Sequence, residues 1–223
     1  MSSLAIISLK PIRVWLTPPG PNAWKVVVVL KELGVPYEIK AFKFDDVKKK
    51  PFIDINPNGR VPGTYILPVR GYDLNKTLTY DGVKEKHHLN QWLQFQMSGQ
   101  GPYYGAAGWF NILHHEKLPS AIERYNNQLK RVLGVLDGWL EGKQWLVGDK
   151  MTYADLAFLP WNDRIDGIIL CAPEEKFDGL PNVQAWHERM AARPSWKKSM
   201  DRYPGWSHEG AGVGGRDGKA RAL

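Results

Sequence analysis

An α/β unit followed by an all-helical bundle is the fold class the sequence predicts. Three observations carry that prediction. A strand with period-two apolar spacing runs through a Pro/Gly loop into a helix, and a second strand follows that helix. From Lys84 onward the apolar spacing is persistently helical and twice opens on a capping signal.

Taken in order, Ile12, Val14 and Leu16 alternate with Arg13, Trp15 and Thr17, and Pro18-Pro19-Gly20-Pro21 ends the run. Ala23, Val26, Val27, Leu30 and Leu33 then fall at helical spacing, with Gly34 and Pro36 as the stop. Tyr37 to Phe44 reads as the second strand, a Lys-rich helical turn lies around Pro51 to Ile55, and Asn56-Pro57-Asn58-Gly59 closes the stretch. Signals weaken from Gly63 to Tyr80, so 71–82 is read as a linker between the two units. Helices are then expected at Lys84 to Gln96, Pro119 to Leu140, Thr152 to Ile169 and Pro181 to Met190. The second is expected to open on a Ser120 to Glu123 capping box, and the third on Thr152 and Asp155, where a side chain on each residue takes a backbone N–H of the other. That capping place assigns Asp155 to structure, not to acid catalysis. Ser207 to Leu223 is Gly-rich and without periodicity, and is read as a flexible tail. The units are therefore 1–70, the linker 71–82, the helical domain 83–206 and the tail 207–223.

Composition excludes several functional classes. The 223 residues are 43% hydrophobic and 24% charged, too apolar for a disordered chain, and at this size about 70% of the extended surface would be buried. No apolar run approaches the ~18 residues of a membrane span, and Leu4 to Leu9 is too short for a secretion signal, so a cytoplasmic protein is expected. The single cysteine, Cys171, cannot form an internal disulfide and is read as a small core residue. A net charge of +7 invites a nucleic-acid reading, but Arg216, Lys219 and Arg221 sit in the tail, and Lys48-Lys49-Lys50 has no interleaved aromatic residues. Neither nucleic acid nor membrane is expected as a partner. His87-His88 and His114-His115 are adjacent pairs whose side chains diverge by about 100° on a helix, so no metal site is expected.

Two loops hold chemistry-bearing residues. Asn22 sits where the first strand hands over to the first helix, the place where an open α/β sheet binds ligands; it serves either as a helix cap or as an amide donor to an anion. Arg60-Val61-Pro62 ends the second turn in a Val-Pro step that is either cis, presenting the Val61 backbone to a ligand, or an ordinary Pro/Gly loop. In the helical half, Met97, Tyr103, Tyr104, Trp109 and Phe110 form either an aromatic wall for a flat apolar ligand or bundle core.

These residues carry a family resemblance. Leu16-Thr17-Pro18 through Trp24-Lys25, then Glu32 to Tyr37, then Ile55 to Pro62 resemble the glutathione-binding half of a glutathione S-transferase. Gln91 to Gly105 and Leu146 to Asp155 resemble the fungal transferases related to the yeast nitrogen-regulator prion protein. The resemblance covers roughly residues 11 to 206, with a gap. It implies a thioredoxin-like N-terminal domain, an all-helical C-terminal domain and a homodimer, with glutathione as co-substrate and no bound cofactor. It further implies that Asn22 is the catalytic donor to the glutathione thiolate. Lys48, Arg60, Val61 and Pro62 are the remaining glutathione contacts, and Met97, Tyr103, Tyr104 and Trp109 form the pocket for an apolar electrophile. After Pro62, where such proteins have two antiparallel strands and an acid-serine pair, this chain goes at once to Gly63-Thr64-Tyr65-Ile66-Leu67. The first domain is therefore expected to be short by two strands and to lack that pair. Two functions follow from the resemblance: conjugation of glutathione in detoxification or secondary metabolism, or a non-enzymatic role as a binding or regulatory partner.

Overall fold

The computed structural model describes residues 11–61, 69 and 71–201. Pro62, the segment expected to replace the missing strands, and the tail 207–223 lie outside the described residues. Among the described residues the sheet has two strands, β1 (Ile12–Leu16) and β2 (Tyr37–Ala41), paired in parallel from Ile12 opposite Tyr37 to Leu16 opposite Ala41. Parallel neighbours need a crossover, and α1 (Pro21–Glu32) supplies it. Alternation along β1 points Val14 and Leu16 into the core, while Trp15 on the other face packs its ring 5.6 Å from Phe42 and 5.7 Å from Phe52.

The second strand stops at Ala41 instead of running on to Phe44. The carboxylate of Asp46 accepts a hydrogen bond from the Lys43 backbone N–H, and this starts a short 3-10 turn, Phe44–Lys48. A single helical turn, α2 (Phe52–Ile55), follows.

The helical unit begins with α3 (Val83–Phe95). The chain does not stop there. It continues through a wide turn at Gln96–Gln100, α4 (Gly101–Gly108) and a second wide turn at Trp109–Leu113, all in right-handed helical backbone. Next comes α5 (Pro119–Leu140), whose bounds match the expected ones while its cap does not. Leu118 is the N-cap and Pro119 the first helical residue, which places Ser120 inside the first turn, where its hydroxyl cannot cap. The Thr152 to Asp155 box is present at the head of α6 (Tyr153–Asn162). The single helix expected from Thr152 to Ile169 is divided: α6 ends at Asn162, and α7 (Ile165–Ile169) ends on Leu170, whose φ of 60° is left-handed. Finally α8 (Pro181–Ala191) and α9 (Pro194–Met200) close the bundle.

One element belongs to both units. Every residue of α1 from Ala23 to Leu30 is buried, because β1 covers one side while α6 and α9 cover the other. Burying a Val or Leu side chain contributes about 1.5–3 kcal/mol, so this run makes α1 the main joint of the molecule. At its far end Glu32 accepts two hydrogen bonds from the Arg193 guanidinium, at 2.6 and 2.7 Å, and a third from the Ser195 hydroxyl. Burial raises the Glu32 carboxyl, but the hydrogen bonds and charge of Arg193 outweigh it and hold the group below its ordinary value.

The stretch 71–82 is fastened as well. Asp73 accepts from the backbone N–H groups of Thr77 and Leu78. Leu78 offers its carbonyl to Tyr153 N–H, and the Tyr80 hydroxyl donates to the Asp149 carboxylate at 2.7 Å while accepting the Asp149 N–H at 3.0 Å. Gly148 passes so close beneath that ring that a Cβ there would lie 2.3 Å from the Tyr80 oxygen, and its φ of +63° independently favours glycine.

Candidate functional site

The loop from Thr17 to Gly20 is held by its own carbonyls. Gly20 N–H donates to Thr17 C=O at 2.8 Å, the Trp24 indole to Pro18 C=O at 3.0 Å, and the Arg164 guanidinium to Pro19 C=O at 2.7 Å. Glycine is needed at 20 because a Cβ would meet the Thr17 hydroxyl at 2.7 Å. This turn delivers α1 with Gly20 as N-cap, Pro21 at N1 and Asn22 one residue further in. The helix start therefore has no side-chain cap, and Asn22 does not cap it.

Asn22 faces the helical unit instead. Its Oδ1 accepts a hydrogen bond from the Trp161 indole at 2.9 Å, across 139 residues of sequence. An indole only donates, so the carbonyl end of the amide turns toward Trp161 and the NH₂ end turns away, with no hydrogen-bond partner among the described residues. One helical turn along lies Lys25, only 7% exposed, whose ammonium is pushed down to about 7 by burial. Arg164 is also lowered by burial, to about 10, against the pull of Asp163 and Asp166. Sequence reasoning missed Trp161, Arg164 and Lys25. The two partners from α6 and its exit turn carry no local signal of their target, and Lys25 reads as the polar side of an amphipathic helix.

The second group lies on the turn after α2. Lys48 donates to Asn58 C=O at 2.9 Å, and Asn56 Nδ2 to Arg60 C=O at 2.6 Å. Gly59 adopts φ +58°, and a Cβ there would meet the Lys48 chain and Val47 C=O at 2.8 Å. Lys48, Arg60 and Val61 thus share one compact turn, with Arg60 exposed and Val61 half-buried. Among the described residues no hydrogen bond joins Asn22 to this turn.

The third group is split between surface and core. Met97 and Trp109 are 62% and 49% exposed. Tyr103 is half-buried beneath the Arg131 guanidinium, and Phe110 stacks on Tyr125 at 5.2 Å. Tyr104 departs from the expectation that it lines the pocket: it is fully buried, with its ring edge-on to Trp161 at 6.2 Å. Burial raises its phenol well above the ordinary tyrosine value, so it supports the wall from behind and offers no open hydroxyl. Among the described residues no group of three or more His, Cys, Asp or Glu is placed to hold a metal. No helix among them is long and apolar enough to cross a membrane.

The chain is similar in sequence and in fold to known proteins. The family model of the glutathione S-transferase N-terminal domain matches residues 10–65, and that of the C-terminal domain matches residues 102–194. The glutathione S-transferase-like protein gedE of Aspergillus terreus is 38% identical over 216 residues, covering 86% of this chain and 95% of that protein. Those 216 aligned positions take up only 86% of 223 residues, so gedE carries residues with no counterpart here. The transcriptional regulator URE2 of Saccharomyces cerevisiae is 30% identical over 234 residues, covering 81% of this chain and 65% of that protein. Among solved structures, the glutathione transferase URE2P6 of Phanerochaete chrysosporium, in complex with oxidized glutathione, superimposes with a TM-score of 0.81 at 37% identity, covering 87% of this chain and 97% of that one. The two-part fold, with its thioredoxin-like first domain and helical second domain, is the one these proteins share, and the chain belongs to the glutathione S-transferase family.

Proposed function

We propose that the chain is a glutathione transferase in which Asn22 donates a hydrogen bond to the thiolate of glutathione. The observation that carries this reading is the half-used amide: Oδ1 is taken by Trp161, and Nδ2 is turned away at an uncapped helix start. A free thiol of pKa about 8.5 is only a few per cent ionised at pH 7. Lowering it two units makes roughly three quarters reactive, at a differential stabilisation of about 2.7 kcal/mol. A hydrogen bond to a charged group supplies about 1.5–3 kcal/mol, and the α1 N-terminus about 0.3–1 more. The sulfur then bonds to an electrophilic carbon of an apolar substrate. A leaving group departs with the bonding pair, or, in addition to an activated alkene, the pair moves onto carbon and is protonated from water. Lys48, Arg60, Val61 and Pro62 are assigned to the rest of the tripeptide, and Met97, Tyr103 and Trp109 to the electrophile. Cytoplasmic detoxification or secondary metabolism, in a homodimer, belongs to the same reading; a monomer mass by light scattering would remove the dimer from it.

Asn22→Ala is expected to lower conjugation about tenfold to a hundredfold, the loss of one charge-assisted hydrogen bond, while binding of S-methyl glutathione persists. The check is retention on immobilised glutathione, together with turnover of a chromogenic aryl halide. No retention and no turnover by the unmodified chain would end the enzyme reading.

A second reading has its own support. No acid-serine pair follows Pro62 in the sequence, and one relative is a transcriptional regulator. A transferase-like binding protein would show a partner-dependent role and no turnover in the same assay.

A further inference from the structure

We propose that Trp161 is the positioning residue of this site, fixing which end of the Asn22 amide faces the sulfur of glutathione. The inference rests on the reading of Asn22 as the thiolate donor. An asparagine side chain is nearly the same shape after a half-turn, yet its two ends do opposite things to an anion. NH₂ toward sulfur stabilises a thiolate; C=O toward sulfur repels it. Nothing within Asn22 itself chooses between them. The choice comes from the neighbour, and the Trp161 indole, 2.9 Å from Oδ1, has a donor and no acceptor. In the turned-over amide two N–H groups would confront each other with no hydrogen bond between them.

The indole is itself held on several sides. It lies edge to face with the buried Tyr104 ring, at 6.2 Å and 89°. Gly101 and Gly105 form the shelf beneath it: a Cβ on Gly105 would already touch the ring at 3.7 Å, and one on Gly101 would stand 3.9 Å from Nε1. The next residue, Asn162, accepts at 2.7 Å from Gln100 Nε2, which also reaches Phe158 C=O at 3.3 Å, and Gln96 donates to Gln100 Oε1 at 3.0 Å. The wide turn at Gln96–Gln100 places these amides in the core beside α6. Three residues on from Trp161, Arg164 ties the Pro19 carbonyl. The end of α6 therefore fixes both the loop that presents Asn22 and the orientation of the amide, and the helical unit completes a site that the first unit begins.

The test compares Trp161→Phe with Asn22→Ala, by the pH profile of kcat/KM and by ultraviolet titration of the thiol of bound glutathione. Trp161→Phe keeps an aromatic ring and deletes the donor. The expected result is a loss of about tenfold in kcat/KM at pH 6.5, one ordinary hydrogen bond's worth of bias with an orphaned N–H added, together with an alkaline shift of the thiol titration. Affinity for S-methyl glutathione, which has no thiol to ionise, is expected to stay within about twofold, and the two substitutions combined are expected to shift the titration no further than Asn22→Ala does alone. If Trp161→Phe fails to fold, benzothienylalanine at 161 keeps the bicyclic shape and removes only the N–H. A titration moved by Asn22→Ala and unmoved at 161 would overturn the inference and leave the Asn22 reading intact. A titration unmoved by Asn22→Ala would overturn both. Weaker S-methyl glutathione binding with an unmoved titration would make Trp161 merely structural, and the inference would fall.

Discussion

Two helices of this protein begin against the core, one half-buried and one fully buried, and they begin differently. At the head of α6 the buried donors are closed. Asp155 accepts the Thr152 N–H at 2.8 Å, the Thr152 hydroxyl at 2.6 Å, the Leu146 N–H at 2.9 Å and the Trp186 indole at 3.0 Å, so both of its oxygens are fully employed. At the head of α1 they are left open. Gly20 provides no side chain, Asn22 bonds only through its oxygen among the described residues, and Lys25 is buried beside them at a large desolvation cost. A closed start builds a frame, and an open start keeps donors and positive potential for something that is not part of the chain.

That contrast is broken most easily at its closed end. Asp155→Ala strands four buried donors around one cavity and is expected to cost about 3–5 kcal/mol, a large share of the ~5–15 kcal/mol of a typical domain. Urea unfolding followed by circular dichroism measures it, and a loss under about 1 kcal/mol would mean that the box does not hold the frame. The open end responds next. Lys25 is lowered to about 7 in the folded protein and titrates near 10.4 when unfolded. Between those values the unfolded chain holds more protons, so stability rises with pH across the window; below about pH 7 both forms are protonated and the full burial cost is present. Lys25→Met is therefore expected to raise stability by about 1–3 kcal/mol at pH 6 and by close to nothing above pH 10. Parallel stability curves for the two proteins would show that burial of Lys25 carries no such cost. The smallest effect lies outside both helix starts: Arg13 and Glu38 pair across the sheet with both side chains mostly exposed, and Arg13→Ala is expected to cost about 0.2–1 kcal/mol and less in high salt. A larger loss there would mean that the two-stranded sheet depends on its surface.

Much of the frame was legible in sequence because it rests on local rules. Ile12, Val14 and Leu16 do form β1, α5 keeps its expected ends, and Thr152 with Asp155 does cap α6. The failures are equally physical. Ser120 has the right spacing to Glu123, but Pro119 takes the first helical position and moves the cap to Leu118. The helix expected to end at Gln96 does not end there, because a wide helical turn carries the chain on into α4. The site was half legible. Asn22 announced itself by its place after the first strand, whereas Trp161 and Arg164 reach it across about 140 residues, a distance over which spacing carries no information.

The contact between Tyr80 and Gly148 extends to how this chain can change over generations. A side chain at 148 would collide with the phenol and also strain a left-handed backbone, and shrinking Tyr80 alone would release the Asp149 and Lys150 N–H groups it accepts. A change at either position alone therefore disturbs the other, so the two residues are expected to tolerate substitution only together.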